Sequence, residues 1–214
     1  MFKAKRITFA ITSAVMSLTM FAGSASAATP IQTIRRVSMT QRDLPAGFRM
    51  DGAGSLPSYE TPLSDFCNII RKTSKTTRAR EFSLAIERGS IYTYVLHEVG
   101  VYSTPAEAAA VLTHVRTSVP RCKLGVYFPY QRFKINSISV RSNALLPIKD
   151  NLVMRMNVTS PNQPTIKTDT YFIVQRSGST VNMVLVTRNS GVNSTRLAAA
   201  MRIATLTGRR QLLP

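Results

Sequence analysis

The stretch from Thr104 to Cys122 is marked at both ends as one helix, and it constrains the fold more than any other segment. Thr104 can cap the first turn, Pro105 fits the first helical position, and Glu107 completes a capping box. Pro120 predicts the end of the helix. One apolar stripe follows the helical repeat: Ala108, Val111, Leu112, Val115 and Val119. Such a stripe predicts a helix that packs on another layer of the protein.

The residues on both sides of this helix alternate between apolar and polar, which predicts strands. Before the helix, one strand face carries Val95, His97, Val99 and Val101. After it, Leu152, Met154, Met156 and Val158 alternate in the same way, and the period slips between Ile135 and Ile138, which predicts a bulge. The segments 168–176 and 180–188 flank a Ser-Gly-Ser turn and predict a hairpin.

Shorter segments complete the predicted order. A short helix is expected within 38–48, a second from Thr61, and a last one from Asn193 or Ser194 to Leu206, with Gly208 as its stop. Residues 28–37 are expected to be a loose leader, and the Gly-rich stretch 51–59 a loop. The order predicts an α+β domain, in which helices pack mainly on one face of an antiparallel sheet that carries one disulfide.

The first 27 residues predict a cleaved secretory signal peptide. Basic residues at Lys3, Lys5 and Arg6 precede a largely apolar stretch that ends in Ala25-Ser-Ala27. The expected product is one domain, 28–214, outside the cytoplasm. No later run of ~18 apolar residues predicts a transmembrane span. An uncleaved membrane anchor is the alternative.

Cys67 and Cys122 are the two cysteines of the sequence. In an exported chain an even cysteine count favours a disulfide, and two cysteines permit a single pairing. Two free buried thiols are the alternative. The cysteine and histidine spacing matches no metal site, and no cofactor motif occurs.

The chain is strongly basic, with a formal charge of +18. Loss of three basic and no acidic residues with the leader leaves +15. Such a charge favours anionic partners, such as cell-wall polymer or lipid head groups. Solubility alone is the alternative reading. If Cys67 bonds Cys122, one candidate basic patch gathers around them: Arg71, Lys72, Lys75, Arg78, Arg80, Arg121 and Lys123. No recognised nucleic-acid motif accompanies this patch.

Tyr92, Tyr94 and Tyr102 share the strand face opposite Val95 and Val99. If that face is open, the tyrosines form a candidate binding face, because tyrosine offers apolar area with a polar tip. The equal alternative is that both sheet faces are covered and the tyrosines lie at the edge of the core.

The sequence carries no catalytic signature. His97-Glu98 begins like a zinc-protease motif, but Val101 stands where the second histidine would be needed. His97 and His114 both accompany apolar faces, where packed, hydrogen-bonded histidines are the commoner case. No nucleophile elbow or phosphate-binding loop is present.

A set of short motifs resembles a known family. It comprises Asp43-Leu-Pro-Ala-Gly-Phe48, Cys67 after a short helix, Gly89-Ser90, Ser103-Thr-Pro-Ala-Glu-Ala108 and Arg121-Cys122. In this order they resemble secreted actinobacterial sensor-type domains, similar to the extracellular domain of a mycobacterial receptor Ser/Thr kinase. The resemblance implies an α+β fold with a cleft and a non-enzymatic, ligand-binding role. This chain departs from that pattern, with one cysteine pair instead of two and neither a membrane span nor a kinase.

The sequence thus predicts an exported, non-enzymatic binding or sensor-like domain that engages an anionic or amphipathic envelope ligand. One alternative is an exported hydrolase that uses His97 or His114. Another is a structural partner in an envelope complex.

Overall fold

The structure, a computed structural model, describes residues 28–55, 77–88, 93–125, 127–128, 133–160, 163–189 and 195–213. These residues form eight strands and three α-helices. The helices are α1 (Pro30–Val37), α2 (Pro105–Ser118) and α3 (Thr195–Gln211). The strands are β1 (Phe48–Ser55), β2 (Thr77–Glu87), β3 (Tyr94–Tyr102), β4 (Tyr127–Phe128), β5 (Phe133–Arg141), β6 (Asn151–Ser160), β7 (Gln163–Ser177) and β8 (Thr180–Asn189). All strands join one antiparallel sheet in the order β1-β2-β3-β8-β7-β6-β5-β4, which confirms the α+β class.

Helices cover both faces of this sheet. On the face that we call the α2 face, α2 packs over β3, β7 and β8. Its stripe buries Val111, Leu112 and Val115 in a core that includes Phe172 and Met183. On the opposite face, the α3 face, α1 and α3 pack, and Ile203 of α3 lies fully buried with its neighbours. Two of the three described helices therefore share one face, as predicted. Within the described residues, no helix combines the length and apolarity needed to cross a membrane.

The ends of α2 form as its sequence predicts. The Thr104 hydroxyl accepts from the Glu107 amide at 3.2 Å, and the Glu107 carboxylate accepts from the Thr104 amide at 3.1 Å. The α-helix ends at Ser118 and tightens into a 3-10 turn that contains Pro120. The local signals therefore fix both ends of the helix.

The leader predicted for residues 28–37 was wrong, because α1 lies there. Thr29 and Gln32 form a reciprocal capping box, with bonds of 2.8 and 3.3 Å between side chains and backbone amides. Ile34 and Val37 are buried against the sheet beside Val99. Because Gln can replace Glu in a capping box, this segment has both a helix start and an apolar face.

The segment after α1 also differs from its prediction. The helix expected within 38–48 is only a 3-10 turn, Gln41–Asp43, and the loop expected from residue 51 is the edge strand β1 up to Ser55. The Gln41 side chain accepts from the Met50 amide at 2.9 Å and donates to the Phe48 carbonyl at 3.1 Å. This amide group therefore satisfies part of the β1 backbone. The helix predicted from Thr61 lies outside the described residues.

The hairpin and the bulge are confirmed. Ser177 pairs with Thr180 around Gly178, whose φ of 55° suits glycine, and the register of β5 shifts between Ile135 and Ser137. Gly208, however, does not stop α3, which continues to Gln211. A Cβ at Gly208 would lie 2.7 Å from Oε1 of Gln175 and 2.9 Å from Cγ of Pro147. Glycine is therefore needed there for close packing.

Candidate functional site

The α3 face changes from buried and apolar to exposed and polar along β6. Val153 belongs to the buried core, whereas Arg155, two residues later on the same face, is exposed. Across the sheet, Arg155 pairs with Ser139 on β5 and with Tyr171 on β7. Since directly paired residues share a sheet face, these three side chains lie in one row. The sequence does not show this row, because strand order and register create it.

A groove of about 300 Å³ lies over this row. Its lining includes Ser139, Arg141, Val153, Arg155, Tyr171 and Leu197. Leu197 belongs to the first turn of α3, so the groove lies between the start of that helix and the β5–β7 part of the sheet. We call it the α3 groove.

Neighbouring side chains hold Arg155 in place. Its guanidinium lies 3.2 Å from the Asp169 carboxylate and 5.8 Å from the centre of the Tyr171 ring. A side-chain hydrogen bond from Arg155 to Asp169 and the nearby negative charge raise the pKa of Arg155 above its ordinary value. The Asn157 amide donates to the second Asp169 oxygen at 3.1 Å. Arg155 is thus neutralised and oriented before any ligand arrives.

Arg141 is in a different position. It is exposed and forms no ion pair with any residue that the structure describes. The first turn of α3 carries no acidic residue, so no side chain of that turn neutralises the positive end of the helix dipole. The α3 groove therefore combines one unneutralised guanidinium with the apolar side chains of Val153 and Leu197. This combination suits an anionic group attached to an apolar one.

His97 is a core residue. It is fully buried, and its Nδ1 accepts from the Met39 amide at 3.3 Å. Nε2 must then carry the proton, and it donates to Oδ1 of Asn182 at 2.9 Å. Asn182 donates in turn to the hydroxyl of Thr207 on α3. Desolvation by burial lowers the pKa of His97 to about 4, although its hydrogen bond with Asn182 opposes the shift.

The other histidine does not complete a catalytic set. His114 is half-buried beside the α2 stripe, on the face opposite His97. Among the described residues, no group of three or more His, Cys, Asp or Glu could hold a metal ion.

The structure describes two of the three residues of the predicted tyrosine face, Tyr94 and Tyr102. Tyr102 is buried in the core under α2, and Tyr94 packs against that core. Burial raises the pKa of Tyr94, which a hydrogen bond with Thr187 partly opposes. Of the two alternatives drawn from the sequence, the covered one describes both residues, because α2 itself packs on this face. Tyr92 lies outside the described residues.

The predicted disulfide and basic patch fall largely outside the described residues, which exclude Cys67, Arg71, Lys72 and Lys75. Arg78 and Arg80 lie on β2, where the structure describes their backbone. Cys122 is half-buried just after the turn that ends α2, and Arg121 and Lys123 are exposed on either side of it. The pairing of Cys67 with Cys122 and the patch around it therefore stay predictions.

Comparison with known proteins supports the fold. No family model matches the chain, and no curated protein matches it. The structure is similar to the crystal structure of the extracellular domain of PknH from Mycobacterium tuberculosis, with a TM-score of 0.50 and 9% sequence identity. The match covers 85% of this chain and 92% of that chain. At this identity the likeness is one of fold, a loose structural resemblance of the kind that the short sequence motifs predicted.

Proposed function

We propose that this protein is an exported, non-enzymatic, sensor-like binding domain that binds an anionic or amphipathic envelope ligand in the α3 groove. One observation carries the proposal: the exposed guanidinium of Arg141 lines a groove that also has apolar walls, Val153 and Leu197. Binding sites commonly combine an apolar lining with a few placed polar groups. The described lining residues include Ser139 but no His, Asp or Glu that could act as its base, and this lining favours binding over catalysis.

Three further features agree with this proposal. The predicted signal peptide and the predicted charge of +15 suit an exported protein whose partners are anionic. The fold is like that of a protein domain described as extracellular. Anionic cell-wall polymer and lipid head groups are the partners that this chemistry favours.

The hydrolase alternative is weaker on the same evidence. A general base must reach the proton that it removes, and His97 is enclosed in the core with both ring nitrogens in hydrogen bonds. His114 does not line the α3 groove, and the described residues include no group of side chains that could hold a metal ion. Neither histidine therefore sits where a substrate would reach it in the α3 groove.

Retention on vesicles tests the proposal. Vesicles that contain phosphatidylglycerol should retain the protein at low salt and release it as salt rises, and vesicles of phosphatidylcholine alone should not retain it. Arg141→Gln and Arg121→Gln each remove one exposed positive charge, the first from the α3 groove and the second from the predicted patch. The groove variant should lose more retention.

Equal retention by both kinds of vesicle would contradict the proposal. If Arg121→Gln loses more retention than Arg141→Gln, the basic patch rather than the groove is the binding surface.

A further inference from the structure

We infer that the α3 groove is selective for a monoanionic headgroup joined to a short aliphatic chain. This inference rests on the proposed function and names its ligand class. A free alkyl carboxylate and the acidic headgroup of a lipid both have this chemistry.

The charges in the groove favour a single negative charge on the ligand. Arg141 and Arg155 contribute two positive charges, and Asp169, 3.2 Å from Arg155, contributes one negative charge. One positive charge therefore remains, on Arg141. A dianion would place a second charge near Asp169, and the described lining residues include no other cation that could neutralise it, which costs free energy wherever solvent is partly excluded.

The surroundings of Tyr171 favour an aliphatic chain over an aromatic ring. Arg155 already lies over the Tyr171 ring at 5.8 Å and is held there by Asp169. A ligand ring stacked on that side would have to displace a guanidinium that is both ion-paired and in a cation–π contact. Leu197 and the small exposed part of Val153, which is 4% exposed, line the groove with aliphatic atoms, and contact with them needs no such displacement.

The volume of the groove sets the length of the chain. About 300 Å³ corresponds to roughly ten water molecules at ~30 Å³ each. Octanoate has about ten non-hydrogen atoms of similar size, so it fills the groove, and longer chains would extend beyond it. The carboxylate is placed at Arg141, and Ser139 and Leu197 of the first turn of α3 line the same groove.

Calorimetric titration of the purified protein with a matched ligand set tests this inference. Affinity should rise about two- to fourfold per methylene from butanoate to octanoate, because each partly buried methylene adds favourable transfer free energy, and should then level off. Octanol lacks the charge, suberate has two charges, and 3-phenylpropionate replaces the chain with a ring. Each of these should bind about tenfold more weakly than octanoate or worse.

Two variants with equal charge locate the site. Arg141→Gln should weaken octanoate binding about tenfold, and Arg88→Gln should leave it unchanged. Arg88 is exposed at the end of β2, which is four strand spacings, about 19 Å, from β6. Unchanged circular dichroism and melting temperature in both variants would exclude a folding defect as the cause.

The outcomes separate the ligand class from the proposed function. Tighter binding of suberate or 3-phenylpropionate that Arg141→Gln abolishes would overturn this inference and leave the groove as an anion site. If no carboxylate binds and phosphatidylglycerol vesicles do not retain the protein, both fail. Binding of vesicles but not of soluble octanoate assigns the site to a lipid headgroup, and binding of octanoate alone assigns it to the free acid. Equal binding by wild type and Arg141→Gln would overturn the placement.

Discussion

The buried His97 should make the stability of this fold depend on pH in a defined direction. Burial favours the neutral imidazole and lowers the pKa of His97 to about 4, against an ordinary value of 6.5. The charged groups that affect it act in opposite directions, since Arg210 lowers the pKa and Asp43 raises it. A protonated Nδ1 could no longer accept a hydrogen bond from the Met39 amide. The charged form of His97 is therefore incompatible with the observed hydrogen bond.

The sign and size follow from proton linkage. Above pH 6.5, neither the folded nor the unfolded state binds a proton at His97. As the pH falls below 6.5, the unfolded chain takes up the proton and the folded protein does not, so the free energy of unfolding decreases until about pH 4. A gap of about 2.5 pH units corresponds to about 3 kcal/mol in full, most of which is lost between pH 7 and pH 4.5.

Urea denaturation of wild type, His97→Gln and His114→Gln at pH 7 and pH 4.5 measures this loss. Gln can keep one donor and one acceptor at position 97, so the variant should be about 1–3 kcal/mol less stable at pH 7 but should lose about 2 kcal/mol less than wild type on acidification. His114→Gln retains His97, so its free energy of unfolding should fall between pH 7 and pH 4.5 by the same amount as that of wild type. An equal loss in wild type and His97→Gln would refute the reasoning.

At pH 4.5 Asp43 stays ionised, because its hydrogen bonds from Arg210 and Thr40 outweigh burial and keep its pKa below 3.8.

Three other substitutions test the packing. Gly208→Ala gains about 1 kcal/mol of helix propensity but forces the Gln175 side chain aside. We therefore expect the free energy of unfolding, measured by urea denaturation, to fall by about 1–2 kcal/mol. A rise would show that Gln175 moves freely. Thr104→Ala removes the cap of α2 and should cost about 0.5–2 kcal/mol; an unchanged melting temperature would mean that the cap contributes nothing. Arg210→Gln leaves the buried Asp43 carboxylate without its cation and should cost about 2–4 kcal/mol at pH 7, which a thermal melt measures; a loss under 0.5 kcal/mol would contradict the ion pair.

The sequence predicted those elements whose signals are local. Both ends of α2 are specified by residues within one turn, and the hairpin needs only Gly178 between two alternating stretches. Two signals were misread. The capping box of α1 uses Gln32 instead of glutamate, and Gly208 matches a helix stop but serves close packing against β7. The first signal is local and was overlooked, whereas tertiary packing decided the role of Gly208.

The candidate site was less predictable for a different physical reason. The polar residues between the apolar ones on β6, Arg155 and Asn157, were visible in the sequence as the outward side of an amphipathic strand. Their neighbours were not, because Ser139 and Tyr171 meet Arg155 only through the pairing of β5 and β7 with β6. The sequence led instead to a binding hypothesis for Tyr92, Tyr94 and Tyr102, since the sequence alone does not reveal which sheet face α2 covers.

The start of α3 explains why the groove lies where it does. Along the α3 face, the apolar pair Val153–Ile173 is followed on the same strands by the polar pair Arg155–Tyr171. The core ends at this step, and the first turn of α3, which begins at Thr195, borders the polar side of the step through Leu197. The backbone amides of a first helical turn have no partners within the helix. The helix start that borders the groove therefore also ends the apolar cover, so the boundary of the core and the anion-binding role that we propose have one structural cause.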